Sequence, residues 1–181
     1  IPSWFQGVDC QMMKLSCKVP RRVEIALSGG PDSTAALYFF KNCGRVVSAA
    51  FFHHGTETSE KSYLYVEHMC KQLDVPLRTA KITHDNSSHQ NLEAFWRNER
   101  YKFFEGAECP VITGHHLDDA VEWWIFSSLH GEGKLIPRVR DMFLRPFLLC
   151  RKEQLVEFCD KNNANYWEDK TNFLIDFFHK Q

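Results

Sequence analysis

The 181-residue sequence has no apolar run approaching the roughly 18 residues needed to cross a bilayer. No short apolar segment with a small-residue cleavage site opens it either, so the expectation is a soluble protein of the cytoplasm. C-x-x-C spacing is also missing. The seven cysteines (Cys10, Cys17, Cys43, Cys70, Cys109, Cys150 and Cys159) are odd in number and scattered, which disfavours a disulfide framework or a zinc knuckle. They read as reduced, packing thiols. No charge of one sign dominates: the net charge of -1 is not that of a general nucleic-acid binder. Internal repeats and low-complexity segments are absent. What is present is 44% hydrophobic and 14% aromatic residues, enough to bury the core of one compact domain.

The most informative stretch is Ser28-Gly29-Gly30-Pro31-Asp32-Ser33. It follows the apolar run Val23 to Leu27 and precedes the helix-like Thr34 to Phe40, which makes it a turn between strand and helix. Paired glycines let backbone N–H groups approach an anion, and the following helix adds the positive end of its dipole, so the loop is suited to phosphate. No lysine stands in or just after the turn, and G-x-G-x-x-G is absent, which removes the two commonest nucleotide loops. A plain tight turn capped by Asp or Ser is the competing explanation.

Further strands are expected at Val46–Phe52, Leu77–Ile82 and Pro110–Thr113, with helices over Thr58–Asp74, Asn91–Glu105 and Leu117–Leu129. This alternation predicts an α/β fold: a parallel sheet covered by helices on both faces, with a short helical C-terminal tail. Ligands collect at the carboxyl ends of such strands, where both the Ser28–Ser33 loop and the His115-His116 turn fall. Gly131 to Pro137 is expected to be a mobile connection.

The second constellation is Gly114-His115-His116-Leu117-Asp118-Asp119-Ala120-Val121-Glu122. On a helix, Asp118, Asp119 and Glu122 share one third of the circumference, and Leu117, Val121, Trp124, Ile125 and Ser128 form a neighbouring face expected to pack. The helix dipole alone accounts for acids in a first turn. Grouped carboxylates also suit Mg2+ or a substrate ammonium, and a transition-metal site through His115, His116 and Asp119 is a lesser alternative. Trp123 and Trp124 are expected to mix packing with partial exposure. Downstream, Lys134, Arg138, Arg140, Arg145, Arg151 and Lys152 stand against a single acid, Asp141. Lys14, Lys18, Arg21 and Arg22 form a second basic cluster. Each could contact an RNA backbone or be a solvated face.

The string S-G-G-x-D-S resembles the PP-loop of N-type ATP pyrophosphatases. Followed by G-H-H-x-D-D-x-x-E, it resembles the tRNA(Ile)-lysidine synthetase family within that superfamily. Phe52-His53-His54-Gly55, Arg97-Asn98-Glu99-Arg100-Tyr101, Leu144-Arg145-Pro146-Phe147-Leu148 and Trp167-Glu168-Asp169-Lys170-Thr171-Asn172 are similar to further family segments and occur in the same order. The resemblance runs from about Val23 to Asn172. It implies a PP-loop core at 21–133, a basic segment and helical tail of the same catalytic domain at 134–181, and an N-terminal extension of unassigned role at 1–20.

The resemblance further implies a two-step ligation. ATP adenylates the wobble cytidine of an isoleucine tRNA, and free lysine displaces AMP to form lysidine. By position, Ser28, Gly29, Gly30, Asp32 and Ser33, with His54, Gly114 and His115, would bind ATP. Asp119 and Glu122 would bind lysine, and these two with Asp32, Arg97 and Arg100 would carry catalysis. Mg2+ would meet Asp32 and Asp118, and RNA would meet Arg138, Arg140, Arg145, Arg151 and Lys152. No membrane partner is expected, and a homodimer is one option for the oligomeric state. After Asn172 the family pattern is not followed, which leaves open a minimal form, a truncated form, or a relative with another acceptor. Another PP-loop adenylating enzyme, for tRNA thiolation or small-molecule amidation, and a nucleotide-binding module without turnover are the competing readings.

Overall fold

The computed structural model describes residues 13–82 and 92–167. Strand β1 (Arg22–Ala26) leads through the glycine turn into helix α1 (Pro31–Asn42), and β2 (Val46–His53) is followed by α2 (Glu57–Gln72). Next come β3 (Leu77–Lys81), α3 (Leu92–Glu105), β4 (Val111–Ile112) and α4 (Leu117–Leu129). The short strands β5 (Val139–Arg140) and β6 (Phe143–Leu144) precede α5 (Lys152–Lys161). The expected helix start at Asn91 lies outside the described residues, as does the segment Glu168 to Asn172.

The strands form one sheet in the order β3-β2-β1-β4-β6-β5, parallel except for the β5–β6 pair. Alternation along the strands divides the core between two faces. Val23, Ile25, Ala49 and Ile112 pack with Phe39 and Phe40 of α1, Val66 and Met69 of α2, and Leu155 and Phe158 of α5. Ala50, Val111 and Phe143 pack on the other face with Phe104 of α3. Helices therefore cover both faces, as the alternating pattern predicts. Phe39, Phe40, Phe147 and Phe158 are fully buried and meet largely edge to face. Each such ring contributes about 1.5–3 kcal/mol through burial.

The segment ahead of β1 joins this body. Met13 and Val19 are buried, and Ser16 donates from its backbone and its hydroxyl to the carbonyls of Pro146 and Arg145 (2.7 and 2.6 Å). Five described cysteines are free thiols: Cys17, Cys70, Cys109, Cys150 and Cys159. Cys43 is disulfide-bonded, which corrects the reading of uniformly reduced cysteines at that position. Spacing along the chain cannot show which thiols the fold brings within reach.

Two packing expectations are also corrected. The face of α4 assigned to the core is exposed, including Val121, Trp124, Ile125 and Ser128, and within this helix only Ser127 is buried. Conversely, Arg145 is not part of a solvated basic face. It is buried, and its Nη1 donates to the carbonyl of Pro137 at 2.9 Å while its backbone joins the β5–β6 turn.

One ion pair ties the second face together. Glu24 of β1, buried beneath α3, receives two bonds from Arg78 of β3 (3.1 and 2.6 Å). The same guanidinium donates to the carbonyl of Phe103 at 2.8 Å and lies 4.1 Å from that ring's centroid. Removing Arg78 leaves the buried Glu24 carboxylate desolvated and uncompensated. Arg78→Ala is expected to cost about 3 kcal/mol of unfolding free energy. Urea denaturation measures this, and a loss below about 1 kcal/mol, the range of exposed pairs, contradicts the assignment.

Candidate active site

The order β3-β2-β1-β4 means that the chain builds outward in one direction from β1 and then returns to its other side. The reversal opens a crevice between the carboxyl ends of β1 and β4, where open α/β sheets bind ligands. The glycine turn follows β1 and the Gly114-His115-His116 turn follows β4. The turns touch: a Cβ on Gly114 would stand 3.1 Å from the Asp32 Cβ and the Ser33 nitrogen. Gly29 holds φ at +90°, a left-handed conformation that glycine adopts without strain.

The loop is braced from within. Ser33 Oγ accepts from the Ser28 backbone N–H at 3.1 Å, lies 3.1 Å from Ser28 Oγ, and donates to the Gly30 carbonyl at 3.2 Å. Thr34 Oγ1 donates to the Gly29 carbonyl, and the Trp167 N–H donates to the same carbonyl at 2.8 Å. The tryptophan that opens the last family-like segment is thus tied to the loop through its backbone. Gly29 itself faces Val66, Tyr65 and Trp167.

The crevice is a cleft of about 890 Å³, within the usual range for small-ligand sites. Of the sequence-predicted residues, Ser28, Gly30, Asp32, Ser33, His54, Gly114, His115, Asp119, Arg100, Arg145 and Lys152 line it. Gly29, Arg97, Asp118, Glu122, Arg138, Arg140 and Arg151 do not. Arg97 is exposed, its guanidinium 5.8 Å from the Tyr101 centroid. Asp118 is turned to α5, where its Oδ2 accepts the Lys152 N–H at 2.8 Å. That bond, first among the causes, holds its carboxyl below the usual range. Motif matching alone did not single out Thr56, Ser59 and Ser62 at the start of α2, or Tyr166 beside Trp167, all of which line the cleft. The first three carry one signal, a Thr56 N-cap that accepts from the Ser59 N–H at 3.1 Å.

The two histidine pairs divide their work. His53 is buried and structural, with Nε2 2.8 Å from Glu60 Oε2 and Nδ1 accepting the Gly55 N–H at 2.9 Å. His54 faces the cleft, and burial, then Arg100, then His53 lower its pKa. His115 lies 2.8 Å from the Thr113 hydroxyl, and its pKa is lowered chiefly by burial, so its ring is neutral at neutral pH. His116, singled out in the sequence only for a lesser metal-site alternative, is buried between carboxylates: 3.7 Å from Asp32, 3.4 Å from Asp118 and 3.6 Å from Asp119. Its backbone N–H donates to Asp119 Oδ2 at 2.8 Å, which completes the start of α4.

Several lining side chains present buried polar atoms without a hydrogen-bond partner: Asp32 Oδ1, His54 Nδ1, Arg145 Nε and Trp167 Nε1. Such atoms are costly unless a ligand or water satisfies them. Asp32 is the sharpest case. Burial raises its carboxyl pKa, opposed in turn by His116 and Lys152 and reinforced by Asp119. A desolvated carboxylate at a phosphate-type loop fits a cation that arrives with the ligand. Among the described residues no group of three or more His, Cys, Asp or Glu forms a metal cage.

The raised value has a consequence for stability. The folded state binds the Asp32 proton more tightly than the unfolded chain, so stability falls as pH rises from the ordinary value of 3.8 through the folded one, and stays reduced above it. Asp32→Asn is expected to be more stable than the parent at neutral pH, with the gain vanishing well below pH 3.8. Thermal unfolding across this range measures it, and a variant less stable at neutral pH contradicts the assignment.

Comparison with known proteins bears on this geometry. Residues 8–180 match the PP-loop domain family. A tRNA(Ile)-lysidine synthase of Clostridium perfringens is 35% identical over 170 residues, covering 83% of this chain and 36% of that protein. Those of Thermotoga maritima and Bdellovibrio bacteriovorus are 29% and 28% identical, covering 86% and 92% of this chain and 42% and 56% of theirs. The chain therefore spans about a third to just over half the length of these relatives. An NMN synthetase from Francisella tularensis aligns with a TM-score of 0.52 at 17% identity, over 80% of this chain and 63% of that one. A protein described as a predicted subunit of tRNA methyltransferase from Methanocaldococcus jannaschii aligns at 0.51 and 15%, over 78% and 75%. The solved structures share the fold, and the sequence match extends over nearly the whole chain: it belongs to the PP-loop domain family of ATP-binding proteins.

Proposed function

We propose that this chain is the catalytic part of an ATP-dependent tRNA-modifying ligase that joins lysine to the wobble cytidine of an isoleucine tRNA. The observation that carries the proposal is the direct packing of the Ser28–Ser33 loop on the Gly114–Asp119 turn, which brings phosphate-type donors and carboxylates to one cleft. Relatives named tRNA(Ile)-lysidine synthase over most of this chain support the choice of acceptor.

On this reading the Ser28–Ser33 backbone and the α1 N-terminus hold the pyrophosphate end of ATP, with Arg100, Arg145 and Lys152 offsetting its charge. The cytidine O2 attacks the α-phosphorus, the bond to the bridging oxygen breaks, and pyrophosphate leaves. The lysine amine then adds at C2, and the C–O bond breaks to release AMP. Asp119 pairs with the lysine ammonium, Glu122 stands one turn further along α4 towards solvent, and Asp119 accepts the proton that lysine loses before attack. Asp32 would hold Mg2+ together with phosphate oxygens, a common arrangement for this ion, which neutralises charge on the leaving group when bound. Exposed Arg138, Arg140 and Arg151 would contact the RNA backbone.

Two of the buried free thiols are ill suited to thiolation. Burial pushes Cys70 up to about 11 and Cys159 up to about 12, so neither is a nucleophile at neutral pH.

The reading is tested by incubating the protein with α-labelled ATP, Mg2+, labelled lysine and unmodified isoleucine tRNA carrying a wobble cytidine. Expected are AMP release and lysine incorporation into the RNA, both reduced at least about 100-fold by Asp119→Asn. AMP formation without lysine in the RNA points to another acceptor and contradicts the proposal.

A further inference from the structure

Strand β4 runs out into Thr113-Gly114-His115, and all three residues line the cleft. Gly114 makes the contact with Asp32 and Ser33, while its two neighbours meet each other: Thr113 Oγ1 lies 2.8 Å from His115 Nδ1. The threonine is anchored by the sheet, because its backbone N–H donates to the Leu144 carbonyl of β6 at 3.0 Å. A rigid strand end thus holds one nitrogen of a cleft-lining imidazole.

Two arrangements of protons fit this contact, and they give the ring opposite uses. With the proton on Nδ1, the ring donates to the Thr113 oxygen and turns a lone pair at Nε2 to the cleft, as a general base would. With the proton on Nε2, the hydroxyl donates to Nδ1 and the cleft receives a neutral N–H. Three observations select the second arrangement. The Thr113 hydroxyl has no other acceptor among the described residues, so its hydrogen is used only by donation to Nδ1. Nε2 takes no hydrogen bond from the described chain and is not sealed from solvent, so a ligand can reach it. Finally, Arg100 and Arg145 act on this ring and line the same cleft, which makes an anionic oxygen the fitting group opposite Nε2.

The charge state agrees. Burial comes first among the causes that keep the ring neutral; Asp119 opposes it, and Arg145, Arg100 and His116 add to it. A neutral donor satisfies an oxygen without adding another buried charge beside two guanidiniums.

We infer that His115 serves the cleft as a neutral Nε2–H donor to a phosphate oxygen of ATP, and that Thr113 is the positioning residue that fixes this tautomer. The inference rests on the reading of the cleft as an ATP site. It also excludes His115 as the base that takes the proton of the incoming amine, which leaves that role to Asp119.

Long-range proton–nitrogen correlation spectra of the purified chain, labelled with nitrogen-15 histidine, read the tautomer directly, and His115→Gln identifies the resonance. The expected ring is protonated at Nε2 and bare at Nδ1, and MgATP shifts the Nε2–H signal. Thr113→Val keeps the side-chain shape and removes the hydroxyl. It should turn His115 into a mixture of tautomers and weaken MgATP binding about two- to tenfold by calorimetry, and Thr113→Ser should restore both. If Thr113→Val fails to fold, the tautomer of the unsubstituted chain decides. A ring protonated at Nδ1 in the unsubstituted chain, or a Thr113→Val chain with parental tautomer and affinity, overturns this inference alone. An unsubstituted chain that binds no MgATP overturns the ATP reading of the cleft together with it.

Discussion

The close approach of Gly114 to Asp32 and Ser33 is the constraint on which the site depends. With a Cβ separation of only 3.1 Å available, any larger residue at this position forces the two turns apart. Parallel strands β1 and β4 bring their carboxyl ends level, and the missing side chain lets the turns meet. Everything chemical in the cleft follows from that contact: a glycine turn with open backbone donors on one side, and a helix start carrying carboxylates on the other.

The electrostatics are arranged around the same contact. Asp32 is desolvated, and His116, wedged among three carboxylates, links the start of α1 to the start of α4. Asp118 extends that link by accepting the Lys152 N–H, which fixes Lys152 at the cleft wall. Three helix N-termini thus face one region, and Arg100 and Arg145 add positive charge from α3 and from the segment after β6. Buried polar atoms of Asp32, His54, Arg145 and Trp167 have no hydrogen-bond partner within the described protein. The proposed triphosphate, cation and ammonium would supply the missing partners.

Much of this was legible in the sequence because the signals are local. The glycine turn, the buried run Val46 to Phe52 and the helix over Leu117 to Leu129 have short-range signatures, and their alternation carries the fold class. The paired strands β5 and β6 were not legible, because two residues each leave no periodicity to read. Arg145 read as one more basic residue in a charged segment, yet the β5–β6 turn folds it inward, a consequence of tertiary contacts alone. Periodicity gave α4 an apolar face but could not say that the fold leaves most of that face exposed. His116 was overshadowed by the carboxylates beside it, and only the fold shows that its ring joins them.

Hydrogen exchange with and without MgATP tests the central claim most directly, because it reports on both turns without requiring turnover. If they form one nucleotide site, amides in 28–34 and 114–119 slow together when MgATP is added, and Asp32→Asn weakens both effects in parallel. Protection of one turn alone, or of neither, contradicts the account.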